Sequence, residues 1–285
     1  MTQQQQKQRE QQHFEHGQPV GAPVPAPRGK EDGDDTGPGA VPFPPHEPLV
    51  GKTVSLVPLS AEAHAADLYA HLGGEANLWR WTYMLSGGWR DEGECEAAME
   101  AWGRGRDPQF YAVVKHNHNG DNGDDKGEGE GEGGEKSEGD GEGEGQGEAV
   151  GMMSYLSVVP AHRRIEIGSI ILGDAAKGSR VGTEAYALLV ERAFALGYLR
   201  VEWKANALNA RSLKAARRLG FTFEGIFRKH MVVKGRERDT AYFSITNEEW
   251  PAVKHGFDEW LADGNFDERG VQRRRLEECR GETKS

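Results

Sequence analysis

Arg164-Ile165-Glu166-Ile167-Gly168-Ser169-Ile170-Ile171-Leu172 runs into Lys177-Gly178-Ser179-Arg180-Val181-Gly182-Thr183 and then into Ala185, Leu188, Leu189, Ala193 and Leu196. The first stretch is rich in β-branched residues, which suit a pleated strand. The last set follows a helical stripe and predicts a helix over Gly182–Leu196. Between them lies a glycine-containing turn that feeds a helix N-terminus. Free N–H groups and the positive end of the helix dipole make such a terminus an anion site. Gly178 and Gly182 allow close backbone approach, and Lys177 and Arg180 add positive charge. Neither GxxxxGK[ST] nor GxGxxG is present, so the turn is neither a Walker loop nor a dinucleotide fingerprint. Taken alone, it reads equally well as an ordinary strand–helix connection.

Working outward, Val54–Leu59 reads as a strand, and Ser60 is placed to cap a helix over Ala61–Leu72. An aromatic loop follows (Trp79, Trp81, Tyr83, Trp89), then a second helix over Asp91–Trp102. Phe110–Val114 and Gly151–Leu156 are strands joined by the segment 116–148. Beyond the central helix, Leu199–Lys204 is a strand. Asn209 caps a helix that stops at Gly220. Phe223–Val233 and Thr240–Ile245 form a hairpin, and a last helix opens at Glu249-Trp250-Pro251. Three strands in hairpin order followed by strand–helix alternation predict an α/β (α+β) domain. Its sheet is mixed, mostly antiparallel and twisted, with about seven strands and helices packed on it.

The chain carries a net charge of −11, unevenly spread. Residues 116–148 hold −10 of it and residues 1–48 hold −3, which leaves +2 for the remainder. Both acidic stretches have too little apolar surface to offset ordering entropy and are expected to be disordered. The expected organisation is a tail (1–48), one domain (49–262) with an acidic Gly/Glu-rich hairpin insert (116–148), and a charged tail (263–285). A near-neutral domain gives no sign of a nucleic-acid partner. Two cysteines, Cys95 and Cys279, make no disulfide framework or metal-ligand spacing. With no apolar leader and no apolar run of membrane-spanning length, a cytoplasmic, soluble protein is expected, with no metal and as a monomer or homodimer.

Further motifs sharpen the reading. Asn209-Ala210-Arg211-Ser212, Leu219-Gly220-Phe221, Glu224-Gly225, Arg228, Asp239 and Glu249-Trp250 follow the turn at fixed spacing. Together with Lys177–Gly182 they resemble the GNAT N-acetyltransferase superfamily, in particular its ribosomal-protein N-terminal acetyltransferase branch. The resemblance covers about Gly51 to Trp260 without the insert. It implies a sheet splayed at its centre to hold acetyl-CoA, with cofactor contacts from Ile170, Ile171, Leu172, Lys177, Gly178, Ser179, Arg180, Val181, Gly182, Thr183 and Asn209. It also implies a primary-amine acceptor on a small molecule or a protein N-terminus. Three positions depart from the pattern. Lys177 replaces Arg or Gln, Arg180 stands where glycine is commonest, and Ala216 stands where many members carry a tyrosine acid.

Acetyl transfer needs an amine freed of its proton, a donor for the oxyanion and a route for the thiolate. Glu166 is the candidate general base, or a solvent-facing strand carboxylate. Ser212 is the candidate donor to sulfur, or a capping residue. Asn209 caps the helix and is also a pantetheine contact. Trp79, Trp81, Tyr83 and Trp89 are either a wall of the amine pocket or core. His162 and His230 are the histidines nearest the expected cleft, and Arg228 with Asp239 is expected as an ion pair across the last hairpin. The other reading of the whole is a non-catalytic acyl-CoA-binding regulatory protein on the same fold.

Overall fold

The computed structural model describes residues 13–15, 18–20, 24, 40–117 and 147–281. The masses of charge at 1–12, 25–39 and 118–146 lie outside the described residues, and so does the expectation of disorder there. Near the N-terminus β1 (His13–Glu15) and β2 (Gln18–Val20) pair antiparallel. The main sheet has eight strands, in the order β3 (Leu49–Val50), β4 (Val54–Pro58), β5 (Gln109–His116), β6 (Gly147–Val159), β7 (Arg164–Leu172), β8 (Arg200–Asn206), β10 (Arg236–Thr246) and β9 (Thr222–Val233). Every neighbouring pair is antiparallel except β7 and β8. The sheet is therefore mixed and mostly antiparallel, as expected. The strand beyond the predicted seven is β3, two residues long and too short to carry a period.

Among the described residues six helices flank it: α1 (Ala61–Leu72), α2 (Glu92–Gly103), α3 (Arg180–Ala195), α4 (Ala210–Arg218), α5 (Trp250–Leu261) and the short α6 (Leu276–Cys279). Both faces of the sheet are covered, which explains the unbroken apolar run of β5. Phe110, Ala112 and Val114 pack with Leu68 and Leu72 of α1 and with Cys95 and Met99 of α2. Tyr111 and Val113 pack in the other layer with Ala185, Leu189 and Ala193 of α3 and Phe257 of α5. Glu184 of α3 is buried, and it accepts bonds from the Lys52 and Thr53 amides at 2.6 and 2.8 Å. That carboxylate fastens the β3–β4 turn to the helix.

The domain is wider than its expected ends. Residues 40–48, expected as tail, lie against it: Val41 is fully buried, Tyr198 donates to the Pro42 carbonyl, and Gln109 donates to that of Pro44. Val41 and Phe43 supply apolar surface that the Pro-rich composition masks. At the other end Leu276 and Cys279 are buried, and Arg280 donates to the Arg218 carbonyl at 2.6 Å. The charged composition of 263–285 hid two apolar anchors.

β5 and β6 stay in register to Lys115↔Glu148 and His116↔Gly147, directly beside residues 118–146. Ladder pairs therefore hold the ends of that segment. Replacing 118–146 by Asn-Gly shortens the connection, and each halving lowers closure entropy by only about 0.6 kcal/mol. The thermal midpoint should hold or rise slightly. A drop of several degrees in calorimetry would show that the segment contributes to the fold.

Candidate active site

The two parallel strands part almost as soon as they meet. β7 and β8 pair only over Arg164–Glu166 and Arg200–Glu202. Beyond Glu202, β8 continues along β10, reaching Asn206↔Thr240. β7 instead keeps to β6 and carries a bulge there. Ser154 opposes Gly168 and Met152 opposes Ile171, so Ser169 and Ile170 have no place in either register. Ser169 takes φ 50°, the left-handed backbone that a bulge of this kind demands. The gap is a cleft of about 360 Å³, with Ile170, Ile171 and Leu172 on one wall and Trp203, Asn209 and Ser212 on the other.

The turn before α3 forms one end of the cleft. Helix α3 begins at Arg180, two residues earlier than predicted, because Ser179 is its cap and accepts from the Gly182 amide at 3.3 Å. Gly178 has φ +70° with open space where a side chain would start. Gly182 has a different purpose from the close ligand approach expected of it. A Cβ there would sit 2.2 Å from the Ala176 carbonyl oxygen, so the glycine lets the turn pack on its own helix. Lys177, Gly178, Gly182 and Thr183 line the cleft. Ser179, Arg180 and Val181, expected as cofactor contacts, do not. Val181 is core. The Arg180 guanidinium turns to the C-terminal segment, where it bonds the Leu261 carbonyl and Asp263 and stacks over Phe266 at 4.7 Å. Non-glycine at this position is accommodated because its side chain leaves the turn.

Trp79 stands at this end, 48% exposed, with three cations around its ring. Arg80, Lys177 and Arg211 lie 4.7, 5.1 and 5.0 Å from the ring centroid. Arg80 is committed to Asp174 through two bonds of 3.2 and 2.6 Å. Lys177 and Arg211 have no carboxylate within ion-pair distance among the described residues. Two cations held on one indole face are a ready site for phosphate groups.

The other end is built on ions. Glu166 is buried, and its Oε2 accepts from Lys204 Nζ at 2.6 Å. Lys204 also reaches Glu202 at 2.9 Å. Burial raises the Glu166 pKa, and the attraction of Lys204 opposes the rise. The carboxylate is thus buried in an ionic setting and does not face solvent. Ser212 lines the cleft and accepts from Trp203 Nε1 at 3.0 Å, which leaves its own hydroxyl proton to donate. Asn209 caps α4 by accepting the Ser212 amide at 3.2 Å. Ala216 is fully buried in the core, and Ala215 is the residue of that turn that faces the cleft. Tyr186 of α3 also lines the cleft, with its pKa raised by burial.

The four aromatic residues divide evenly. Trp79 and Tyr83 line the cleft. Trp81 is 1% exposed, donates to the Leu72 carbonyl and packs edge-on against the buried Trp89. Those two belong to the core under α1 and α2, because the 3₁₀ turn Glu75–Trp81 aims alternate rings in opposite directions. Neither His162 nor His230 lines the cleft. His162 is exposed, and His230 bonds Thr240 and Tyr242. Asp239 accepts the Lys229 amide at 2.7 Å at the bulge of the last hairpin, which replaces the expected pair with Arg228. Lys204, Tyr186, Arg211 and Arg238 line the cleft and escaped the sequence reading. Only Lys204 left a trace there, as an even-numbered neighbour of Glu202 on one face of a strand.

A family model described as the acetyltransferase (GNAT) domain matches residues 53–222. Among solved structures, a GCN5-related N-acetyltransferase from Brucella melitensis is 35% identical, over 85% of this chain and 97% of its own, with a TM-score of 0.73. A GNAT-family protein from Chromobacterium violaceum described as a probable acetyltransferase is 31% identical over 82% and 99%, with a TM-score of 0.62. The microcin C7 self-immunity acetyltransferase MccE, solved with acetyl-CoA and AMP, shares the fold at 18% identity over 72% and 98% with a TM-score of 0.51. A comparison with curated proteins finds no match. With the fold, the splay and these matches together, the chain belongs to the GNAT acetyltransferase family.

The two glycines of the turn should respond differently to alanine. Gly182→Ala forces a methyl into a backbone oxygen and should cost about 1–3 kcal/mol in urea unfolding, the range for overpacked sites. Gly178→Ala meets open space and should cost only the left-handed backbone penalty, about 1–2 kcal/mol at most. A larger loss at Gly178 than at Gly182 would contradict the packing assignment.

Proposed function

We propose that this protein transfers an acetyl group from acetyl-CoA to a primary amine of a small molecule or a protein N-terminus. The observation that carries the reading is the splay itself. The backbone bulge at Ser169–Ile170 lines the same cleft as Lys177, Arg211 and the buried carboxylate of Glu166. The residues suit the cosubstrate. Lys177 and Arg211 would hold its phosphates beside the amides that open α3, and Asn209 and Ile170–Leu172 would flank its pantetheine arm. Acetyl-CoA supplies an activated acyl thioester.

The remaining work falls to side chains of the chain. The Ser169–Ile170 bulge stands outside the pairing registers with β6 and β8, and its amides would be the donors to an oxyanion. Glu166 would take the proton of the incoming ammonium, directly or through water. Burial raises its pKa and makes it a stronger base than an exposed carboxylate, while Lys204 favours its ionised form. Ser212 would donate to the departing sulfur.

A group that must be ionised to act gives a rate that rises with pH through its pKa. The acidic limb of kcat/KM should therefore lie above the ordinary carboxylate range, since burial raises Glu166. Glu166→Gln should lower kcat by about 10²-fold or more and abolish that limb, with the acetyl-CoA Kd held. An unchanged profile would remove Glu166 as the base. Ser212→Ala should cost less, since solvent also protonates a thiolate.

The basic end makes a separate prediction. Lys177→Glu combined with Arg211→Glu should weaken acetyl-CoA binding by about tenfold or more at low salt, and calorimetry at rising ionic strength should narrow the gap. Unaltered affinity would place the phosphates elsewhere. Tight acetyl-CoA binding with no turnover on any amine would favour the non-catalytic reading.

A further inference from the structure

Across β7, β8 and β9 runs a ladder of charges that balances, with Glu166 and Glu202 buried at its centre. Arg164 and Arg200 hold Glu202 at 3.5 and 2.9 Å, Arg200 also holds Glu224, and Lys204 joins Glu202 to Glu166. Three cations meet three carboxylates. One further cation stands beside this set with no counter-charge in bonding distance. Arg238 of β10 is 9% exposed and lines the cleft beside Glu166 and Lys204. Its Nε donates to Thr240 Oγ1 at 3.1 Å. Among the described residues no carboxylate lies within ion-pair distance of it and its terminal nitrogens have no hydrogen-bond partner. Burial lowers its pKa, the expected response of a desolvated cation, and Glu166 opposes this from beyond contact.

The backbone is shaped to place this residue. Between Arg238↔Met231 and Thr240↔Phe227, strand β9 carries three residues opposite one. Lys229 takes φ 48° there, and its amide is tied to Asp239. The tip of the hairpin is tied to the aromatic loop, where Lys234 Nζ donates to the Trp81 carbonyl at 2.8 Å. Arg238 thus sits on a hairpin anchored both at its bulge and at its tip.

A guanidinium bonded through Nε alone presents its terminal N–H donors to the cleft, and a ligand with a matching pair of oxygens completes them. Resting on the acetyl-transfer reading, we propose that the acceptor is an amine that carries a carboxylate, with Arg238 gripping the carboxylate while the amine faces Glu166. The guanidinium fork matches a carboxylate in two parallel bonds, which a single ammonium does not. Glu166 and Arg238 then select opposite ends of one zwitterionic acceptor.

The test offers α-amino acids and dipeptides as matched pairs, free acid against carboxamide. Two readouts are taken: kcat/KM from thiol release, and Kd by calorimetry on the CoA-saturated protein. The acid should be preferred about tenfold or more in wild type. Arg238→Gln should bring the ratio close to one, and Arg238→Lys should restore only part of it. The acetyl-CoA Kd and the thermal midpoint of both variants should stay at wild-type values, which separates lost recognition from lost folding. Equal use of acid and amide by the wild type, or a preference that survives Arg238→Gln, would overturn the proposal while leaving acetyl transfer standing. If no pair is acetylated, the Kd arm decides. Acid-selective, Arg238-dependent binding keeps this site and removes the transfer reading, whereas its absence removes this site.

Discussion

Everything in the cleft depends on a ladder that stops after three residue pairs. Parallel β7 and β8 hold together from Arg164 to Glu166, then each follows its other neighbour. The divergence has a local cause. An extra residue in β7 against β6, with Ser169 in the left-handed region, turns the strand away and interrupts the ladder there. Ser154, fully buried, steadies the spot by donating to the Gly168 carbonyl at 3.1 Å.

The ions at the closed end of the gap follow from the same geometry. Where β7 and β8 still touch, Glu166 and Glu202 stand side by side on one face. Two like charges so close require cations between them, and Lys204 and Arg200 fill that need. Buried ion clusters contribute little net stability against apolar packing of equal volume. Their value here is position. Lys204 favours the ionised form of Glu166 and fixes its Oε2 at the place where the strands begin to separate.

How much of this was legible in the residues follows from the range of each interaction. Strand β7 was read to its end residues, because β-branched alternation is a local signal. The Asn209 cap and the Ser60 cap were likewise local and are present. The start of α3 was missed by two residues, since Ser179 was counted as turn before its hydroxyl was seen as a cap. Arg180 read as a phosphate ligand because its partners, Leu261 and Asp263, lie some eighty residues away. Trp81 and Trp79 are two residues apart in one 3₁₀ turn, and no pattern in the chain assigns one ring to core and the other to cleft. Arg238 and Lys204 were invisible for the same reason. Their importance arises from which strands lie side by side.

The central claim is that the splay between β7 and β8 is where acetyl-CoA binds. Hydrogen exchange measured by mass spectrometry, with and without saturating acetyl-CoA, reports this directly, because newly bonded amides slow their exchange. The account predicts protection concentrated in peptides covering 167–184 and 203–213, strongest at Ser169–Ile170 and at the opening turn of α3, with the β4–β5 ladder unchanged. Protection confined to other parts of the sheet, or none at a concentration that calorimetry shows to be saturating, would contradict it.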